Sequence, residues 1–307
     1  MTAEYRAHFD FSIAFANGGG IRGDGFRLDL PRDGMGDAEI GALLVRHLGL
    51  ALVSAVELRD LGIVEEPHRG SRGVAVVAEA EAEAVIDLSH PIEAGLVTYP
   101  GLPAPTITPF LTRADSRERY APGTEFAMDV ITMIGNTGTY LDAPFHRYAD
   151  GGDLASLDLG TLVGLPAEVF HLRDAWTPER RGIAATTLAD RDLRGAAVLL
   201  DTGWSRHFGK PEYAIGAPFL TADAAAFLVD ADVQLVGIDS LNIDDTESGG
   251  ERPAHSILLA GGVHVVEHLT NLDAVPARGA RFTAAPPAVR GFGTFPVRAF
   301  ATVPASH

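Results

Sequence analysis

The sequence predicts an α/β protein in two parts. Residues 1–73 read as a small α+β unit ending in a linker, and residues 74–307 as a larger α/β domain built on a mixed sheet. Three observations carry this. Apolar and polar residues alternate through the first thirty positions, as they do in a half-buried hairpin. The stretch Pro67-His-Arg-Gly-Ser-Arg-Gly73 is polar and broken by glycine and proline, as linkers are. From Val85 onward short apolar strand signals recur between prolines and glycines, with few candidate helices.

Each element follows from a local pattern. Phe9, Phe11, Ile13 and Phe15 alternate with His8, Asp10, Ser12 and Ala14, and Phe26, Leu28 and Leu30 repeat the pattern after a glycine-rich turn. That turn contains Gly18-Gly-Gly20-Ile-Arg-Gly23, which fits the dinucleotide-binding fingerprint Gly-x-Gly-x-x-Gly. A strand follows it, however, where the fingerprint needs a helix to receive the pyrophosphate. Asp37 is placed to cap a helix whose positions Ile40, Leu43, Leu44, His47 and Leu48 recur at helical spacing. Leu50 to Leu58 and Leu61 to Val64 read as a second pair of strands, giving a β-β-α-β-β unit. Val74 to Glu83 reads as a strand or a frayed helix.

Pro100, Pro103, Pro105 and Pro109 predict a rigid extended loop. Arg113, Arg117 and Arg119 follow, flanked by Tyr120 and Phe126. They form either a lid that offers a guanidinium to a substrate carboxylate or a solvated loop. Ala127 to Ile134 reads as a strand ending at Gly135. Helices are predicted at Thr186–Leu193 and at Thr221–Val229, the second capped by Thr221, and buried strands at Ala196–Leu200 and Val233–Ile238.

Composition narrows the function. Hydrophobic residues make up 46% and charged residues 21%, a globular balance. A net charge of −17 repels nucleic acid and anionic membrane, so an anionic substrate would need local arginines. The absence of cysteine excludes disulfides, thiolate nucleophiles and zinc–thiolate sites. The N-terminus shows no apolar signal region, and no run approaches the roughly 18 apolar residues of a membrane span. A cytoplasmic enzyme is expected, with a small-molecule substrate and no nucleic-acid or membrane partner.

The densest chemistry lies between Gly135 and Gly152, where Asn136, Thr139, Tyr140, Asp142 and His146 fall within eleven residues at the mouth of a strand. A polar turn would use Asp142 and Thr139 as local backbone caps, whereas a site would converge all five on a ligand. Two other motifs carry less. His264-Val-Val-Glu-His268 spells an inverted zincin motif, but its valines predict a strand that turns Glu267 away from both histidines. Gly203-Trp-Ser205-Arg-His207 lacks the final glycine of a nucleophile elbow, which leaves Ser205 as a turn residue.

The dense stretch resembles the signature of the cyclase family of metal-dependent hydrolases, His-x-Gly-Thr-His-x-Asp-x-Pro-x-His. Gly138, Thr139, Asp142, Pro144 and His146 match it, and Asn136 and Tyr140 replace its first two histidines. Further matches run in order through Asp87-Leu-Ser-His-Pro91, Tyr99-Pro-Gly101, Leu200-Asp-Thr-Gly-Trp204, Val236-Gly-Ile-Asp-Ser240, His255-Ser-Ile-Leu-Leu259, Glu267-His-Leu-Thr-Asn-Leu272 and Gly293-Thr-Phe-Pro-Val-Arg298. The resemblance implies a mixed sheet with a β-barrel-like core and a homo-oligomer, dimer or tetramer. It also implies two adjoining metal positions that share Asp142, with His146 as the acid/base.

At the first position Asn136 offers a weak carbonyl ligand, and Tyr140 would have to lose a proton whose reference pKa is about 10. The expectation is therefore at most one divalent ion, zinc or manganese, held by Asp142, His255 and Glu267. Tyr140 and Asn136 would then donate hydrogen bonds to an oxyanion, with Thr139, Arg117 and Phe145 bordering the substrate. The implied function is hydrolysis of a small amide, cyclic amide or lactone. The alternatives are a non-hydrolytic cyclase, dehydratase or isomerase, or a catalytically silent protein that binds a small ligand.

Overall fold

A computed structural model of the chain describes residues 5–65 and 84–304. The linker expected at 67–73 and the element expected at 74–83 lie outside the described residues. The chain divides into two compact units, residues 1–78 and 79–307.

In the first unit, strands β1 (Tyr5–Phe15), β2 (Gly20–Leu30) and β3 (Val53–Glu65) form an antiparallel sheet in the order β2-β1-β3, and helix α1 spans Asp37–His47. The alternation read in the sequence buries Ala7, Phe9, Phe11 and Ile13 of β1 together with Leu28 and Leu30 of β2, against Ile40 and Leu44 of α1. The glycine fingerprint runs into β2, so no helix N-terminus faces that turn. Gly36, not Asp37, is the N-cap, and Asp37 begins the helix, where its charge meets the positive end of the dipole. The two strands expected between Leu50 and Val64 are one strand, β3. Asp60, at φ 53°, absorbs an irregularity where the pairing with β1 slips between His8 and Asp10.

The second unit contains β4 (Ala84–Asp87), β5 (Thr106–Leu111), the single-turn helix α2 (Arg113–Ser116), β6 (Met128–Thr132), β7 (Tyr140–Asp142), β8 (Leu165–His171) and β9 (Gly182–Ile183). It continues with β10 (Ala197–Asp201), β11 (Phe219–Leu220), helix α3 (Ala222–Asp230), β12 (Leu235–Ile238), helix α4 (Pro253–Ala260), β13 (His264–Glu267), β14 (Arg281–Thr283), β15 (Thr294–Pro296) and β16 (Phe300–Val303). Nine strands form one mixed sheet, in the order β15-β7-β13-β12-β10-β8-β14-β16-β4, curled into a half-barrel. Strands β8, β10, β12 and β13 run parallel, while β7, β14, β15 and β16 pair antiparallel. The parallel strands are apolar throughout because both faces are covered. Ala197 and Leu199 of β10 enter one core with Phe282, and Val198 and Leu200 enter the other with Leu228 and Leu258 from α3 and α4.

Two expectations are corrected. The helix predicted at Thr186–Leu193 is a single turn at Ala185–Thr187. Just beyond it Arg191 reaches back to Glu168 Oε2 and the Val169 carbonyl with its guanidinium over the Phe170 ring, so tertiary contacts override local propensity. The loop predicted around the four prolines contains β5, which pairs with β6. Pro109 is tolerated there because the ribbon has only two strands, and β5 can leave a proline on its unpaired side.

His264 begins β13 buried, and the loss of solvation lowers its pKa to about 4. A group depressed from a reference of about 6.5 lends stability above that pH and loses it as the pH falls through 4. Replacing His264 by leucine is therefore expected to reduce the loss of unfolding free energy between pH 6.5 and 4 by about 3 kcal/mol, since one pKa unit is about 1.4 kcal/mol. Urea titrations of both proteins at the two pH values read this directly, and equal losses would show that His264 binds its proton alike in the folded and unfolded states.

Candidate active site

Sheet register builds the site. Strand β7 lies between β13 and β15, with Tyr140 opposite Glu267 and Asp142 opposite Thr294. Side chains alternate along a strand, so Tyr140 and Asp142 share one face while Leu141 enters the core on the other. The Tyr140 hydroxyl donates to Glu267 Oε2 at 2.6 Å. The Thr294 hydroxyl donates a very short hydrogen bond to Asp142 Oδ1. His146 follows on the turn Pro144–His146, its Nδ1 2.7 Å from Thr294 Oγ1 and 3.8 Å from Asp142 Oδ1. Because the Thr294 proton goes to Asp142, Nδ1–H of His146 must donate to Thr294. That leaves Nε2 as the ring's basic atom. Gly293 makes this approach feasible, since a Cβ there would collide with the backbone of Phe145 and His146.

His255 arrives from α4, the first turn of which is held by Asp244. Asp244 Oδ1 accepts from Ala254 N at 2.6 Å, and Oδ2 accepts from His255 N at 3.0 Å and from His255 Nδ1 at 2.7 Å. One carboxylate thus caps the helix and fixes the ring, turning Nε2 toward Asp142 Oδ2 at 3.4 Å and Glu267 Oε1 at 3.5 Å. Glu267 Oε1 also accepts from Ile243 N at 2.6 Å. Burial opposes charge on His255, but the carboxylates of Glu267, Asp142 and Asp244 outweigh it and raise its pKa to about 10. Burial raises Glu267 to about 7, against the pull of His255. Asp142 is held below its usual range: burial opposes ionisation, and His255, His146 and Thr294 overcome it.

The donors fit one metal ion. Ligand atoms of Asp142, His255 and Glu267 lie within 4.8 Å of one another, all buried. Two ligands at about 2.1 Å from a tetrahedral zinc stand about 3.4 Å apart, which is the spacing of His255 Nε2 from both carboxylates. Asp142 Oδ2 is buried with no well-formed hydrogen bond, only the 3.4 Å approach of His255 Nε2, as an oxygen reserved for a cation would be. The position beside it is different. Burial first, then the charges of Glu267 and Asp142, push the Tyr140 phenol well above 10, and Asn136 bonds to its oxygen.

Tyr140 belongs to a further chain of contacts. His268 leaves β13 with φ 58°, which brings its ring to the same side as Glu267 rather than to the face of His264 expected from strand alternation. Its Nε2 lies 3.3 Å from the Tyr140 oxygen and its Nδ1 2.9 Å from the Tyr213 hydroxyl. Burial lowers its pKa to about 3, so it carries one proton. Since Tyr140 donates to Glu267, that proton sits on Nε2 and donates to Tyr140, while Tyr213 donates to Nδ1. The one Tyr140 proton is thus directed to Glu267 and not to an oxyanion. Asn136 keeps its place at the cavity.

The cavity over these groups measures about 330 Å³ and is lined by Tyr99, Leu102, Asn136, Tyr140, His146, Arg147, Asn242, Arg252, His255 and Glu267. Three residues expected at the substrate are placed elsewhere. Thr139 is buried, its hydroxyl donating to the His268 carbonyl and accepting from His90 N. Arg117 pairs with Glu125 at 2.6 Å on the surface. Phe145 is not among the residues that line the cavity, and its backbone lies against Gly293. Sequence reasoning missed Thr294, His268, Tyr213, Arg147 and Arg252. Thr294 and His268 fall inside matched motifs and could have been found there, whereas nothing in the local sequence singles out Tyr213.

Comparison with known proteins identifies the family. The cyclase family model matches residues 86–245. The kynurenine formamidase of Geobacillus thermodenitrificans is 35% identical over 217 residues, 70% of this chain and 95% of that protein. A solved potential metal-dependent hydrolase with cyclase activity is 28% identical, with a TM-score of 0.58 over 74% of this chain and 100% of that one. Isatin hydrolase A from Labrenzia aggregata, bound to benzyl benzoate, shares the fold at 24% identity and a TM-score of 0.63, covering 73% of this chain and 94% of that one. The fold is that of metal-dependent hydrolases of this type. The chain belongs to the cyclase family.

Proposed function

We propose that this protein hydrolyses a small amide with His146 as general base and acid, beside one divalent ion, zinc or manganese, held by Asp142, His255 and Glu267. It is a hydrolase of carbon–nitrogen bonds, in keeping with its kynurenine formamidase relatives. The observation that carries the residue assignment is the chain His146–Thr294–Asp142, which fixes the imidazole with Nε2 free beside the cavity. Nε2 takes a proton from the attacking water and returns it to the leaving nitrogen, the carbon–nitrogen bond breaking as an amine and an acid form. When bound, the ion supplies Lewis acidity toward the carbonyl and lowers the pKa of water. The Asn136 amide donates to the developing oxyanion, with Tyr140 holding Glu267 in place.

Turnover of N-formylkynurenine, isatin and simple aryl lactones by zinc- or manganese-loaded protein tests the reading. Hydrolysis of an amide substrate supports it, and saturable binding without turnover of any of them would favour a silent binding protein.

The protein also acts as a homo-oligomer, dimer or tetramer. The β5–β6 ribbon supports this, because it leaves Ile107, Phe110, Val130 and Ile131 between 43% and 69% exposed. Light scattering at micromolar concentration is expected to give at least a dimer, and Phe110→Lys with Val130→Lys is expected to shift it toward the monomer. A parent protein that runs as a monomer would contradict this. Among the described residues no helix is long and apolar enough to cross a membrane.

A further inference from the structure

Each side chain of the trio has one ligand atom open toward the others and its second atom taken. Asp244 holds His255 Nδ1 at 2.7 Å, which leaves Nε2. The Thr294 hydroxyl donates to Asp142 Oδ1, which leaves Oδ2. Glu267 Oε2 accepts from Tyr140 at 2.6 Å and meets Asn242 Nδ2 at 3.5 Å, so both of its lone pairs are engaged. Oε1 accepts from Ile243 N at 2.6 Å and keeps its other lone pair on the side of His255 Nε2, 3.5 Å away. A carboxylate grips a cation through two oxygens only when both are free. Neither carboxylate of the trio meets that condition.

The contact that occupies Glu267 is itself held from behind. Tyr140 lies between Glu267 and His268, and the direction of its one proton is set two side chains away. The Tyr213 hydroxyl is 2.9 Å from His268 Nδ1, closer than its 3.4 Å approach to the Asp239 carbonyl. Donation to Nδ1 puts the ring proton on Nε2, which donates to the Tyr140 oxygen at 3.3 Å and turns the phenol proton to Glu267. Tyr213, His268, Tyr140 and Glu267 are all buried, where a misdirected proton is costly.

Three one-atom ligands with one open position suit a four-coordinate zinc ion. Manganese and magnesium favour six oxygen ligands, to which a two-oxygen carboxylate contributes. We propose that Tyr140 and Thr294 are positioning residues that restrict Glu267 and Asp142 to one ligand atom each, with His268 and Tyr213 keeping Tyr140 in that role, so that the site discriminates against six-coordinate ions. The inference rests on the ion held by the trio in the reading above and is independent of the amide chemistry.

Nitrogen and oxygen sites bind zinc more tightly than manganese in any case, so the test is how the preference responds when the second oxygens are released. The full-length protein, stripped with a chelator, is titrated with zinc and with manganese against a chromophoric competitor, and the ratio of the two Kd values is read. Tyr140→Phe frees Glu267 Oε2 and Thr294→Val frees Asp142 Oδ1. Loss of a supporting hydrogen bond alone weakens every metal by about 10–100-fold and leaves the ratio unchanged, whereas each of these variants is expected to shrink the ratio at least about tenfold, manganese holding its affinity while zinc loses. His268→Leu is expected to shrink it severalfold and Tyr213→Phe by less, and His268→Gln to recover part, since its amide can donate to Tyr140. Tyr213 makes no hydrogen bond to the trio among the described residues, so a change there reads the relay itself. X-ray absorption at the zinc edge is expected to show a four-coordinate ion in the parent and a higher coordination number in the double variant, with thermal melts of the stripped proteins showing each variant folded.

If both metals weaken together in Tyr140→Phe and Thr294→Val, or if manganese binds the parent as tightly as zinc, the proposal is overturned and the hydrolase reading stands. A zinc preference that narrows in the variants of a protein that cleaves no amide supports the proposal and defeats the hydrolase reading. A parent that binds neither metal overturns both.

Discussion

Replacing His146 by asparagine is expected to lower kcat toward an amide substrate by about 10²–10⁴-fold, the usual contribution of a positioned general acid/base. The imidazole side chain is about a third exposed and, among the described residues, hydrogen-bonds to Thr294 alone, with Asp142 3.8 Å away, so little of the fold leans on it. Melting temperature and metal content should therefore stay close to those of the parent. Thr294→Val gives a sharper check, because valine keeps the shape of threonine and removes the hydroxyl that links His146 to Asp142. Its expected effect is a smaller loss of kcat, about 10–100-fold, since the ring survives and only its orientation and tautomer are freed. A Thr294→Val protein with unchanged kcat would remove Thr294 from the account. A His146→Asn protein with unchanged kcat would remove the general base.

The second large effect concerns the metal. Three buried ionisable groups within reach of one another are costly to keep together unless a cation joins them, and without an ion His255 fills that need by holding a proton. An ion displaces the Nε2 proton and also meets the unpartnered Asp142 Oδ2. At a free metal concentration of about a thousand times Kd, binding is expected to stabilise the native state by about 4 kcal/mol. Stripping the protein with a chelator and repeating the urea titration measures this difference. Glu267→Gln is expected to abolish it by removing a charged ligand while keeping an acceptor for Ile243 N and Tyr140. A chelated protein as stable as the zinc-loaded one would show that the trio does not surround an ion.

Much of this was legible in the sequence because the residues concerned obey local rules. The alternation of Phe9, Phe11 and Ile13, the apolar runs of β10 and β12, and the valines of β13 each specify a strand that the structure contains. Asp142, His255 and Glu267 were named from matched motifs, and the sheet and α4 bring them together. What was hidden depends on pairing between distant segments. Thr294 matters because β15 aligns with β7 across 152 positions, and Asp244 because its loop folds onto the start of α4. His268 escaped because strand periodicity ends at Glu267 and His268 itself is left-handed, at φ 58°, which brings its ring to the side of Glu267. The extended reading of the prolines missed β5 because a proline can sit in an edge strand. Arg117 looked available in sequence because Glu125, its partner, was not weighed against it.

One ion is expected where the family signature makes room for two. Asn136 and Tyr140 stand where that signature has histidines, and the Tyr140 proton is committed to Glu267. Replacing them together, Asn136→His with Tyr140→His, is expected to raise the bound metal by about one ion per chain. Anomalous diffraction at the zinc edge, from crystals of the unmodified protein grown with zinc, tests this most directly. The account predicts a single peak per chain, about 2.0–2.2 Å from His255 Nε2 and from carboxylate oxygens of Asp142 and Glu267. A second peak coordinated by Tyr140 or Asn136, or no peak at the trio, would contradict it.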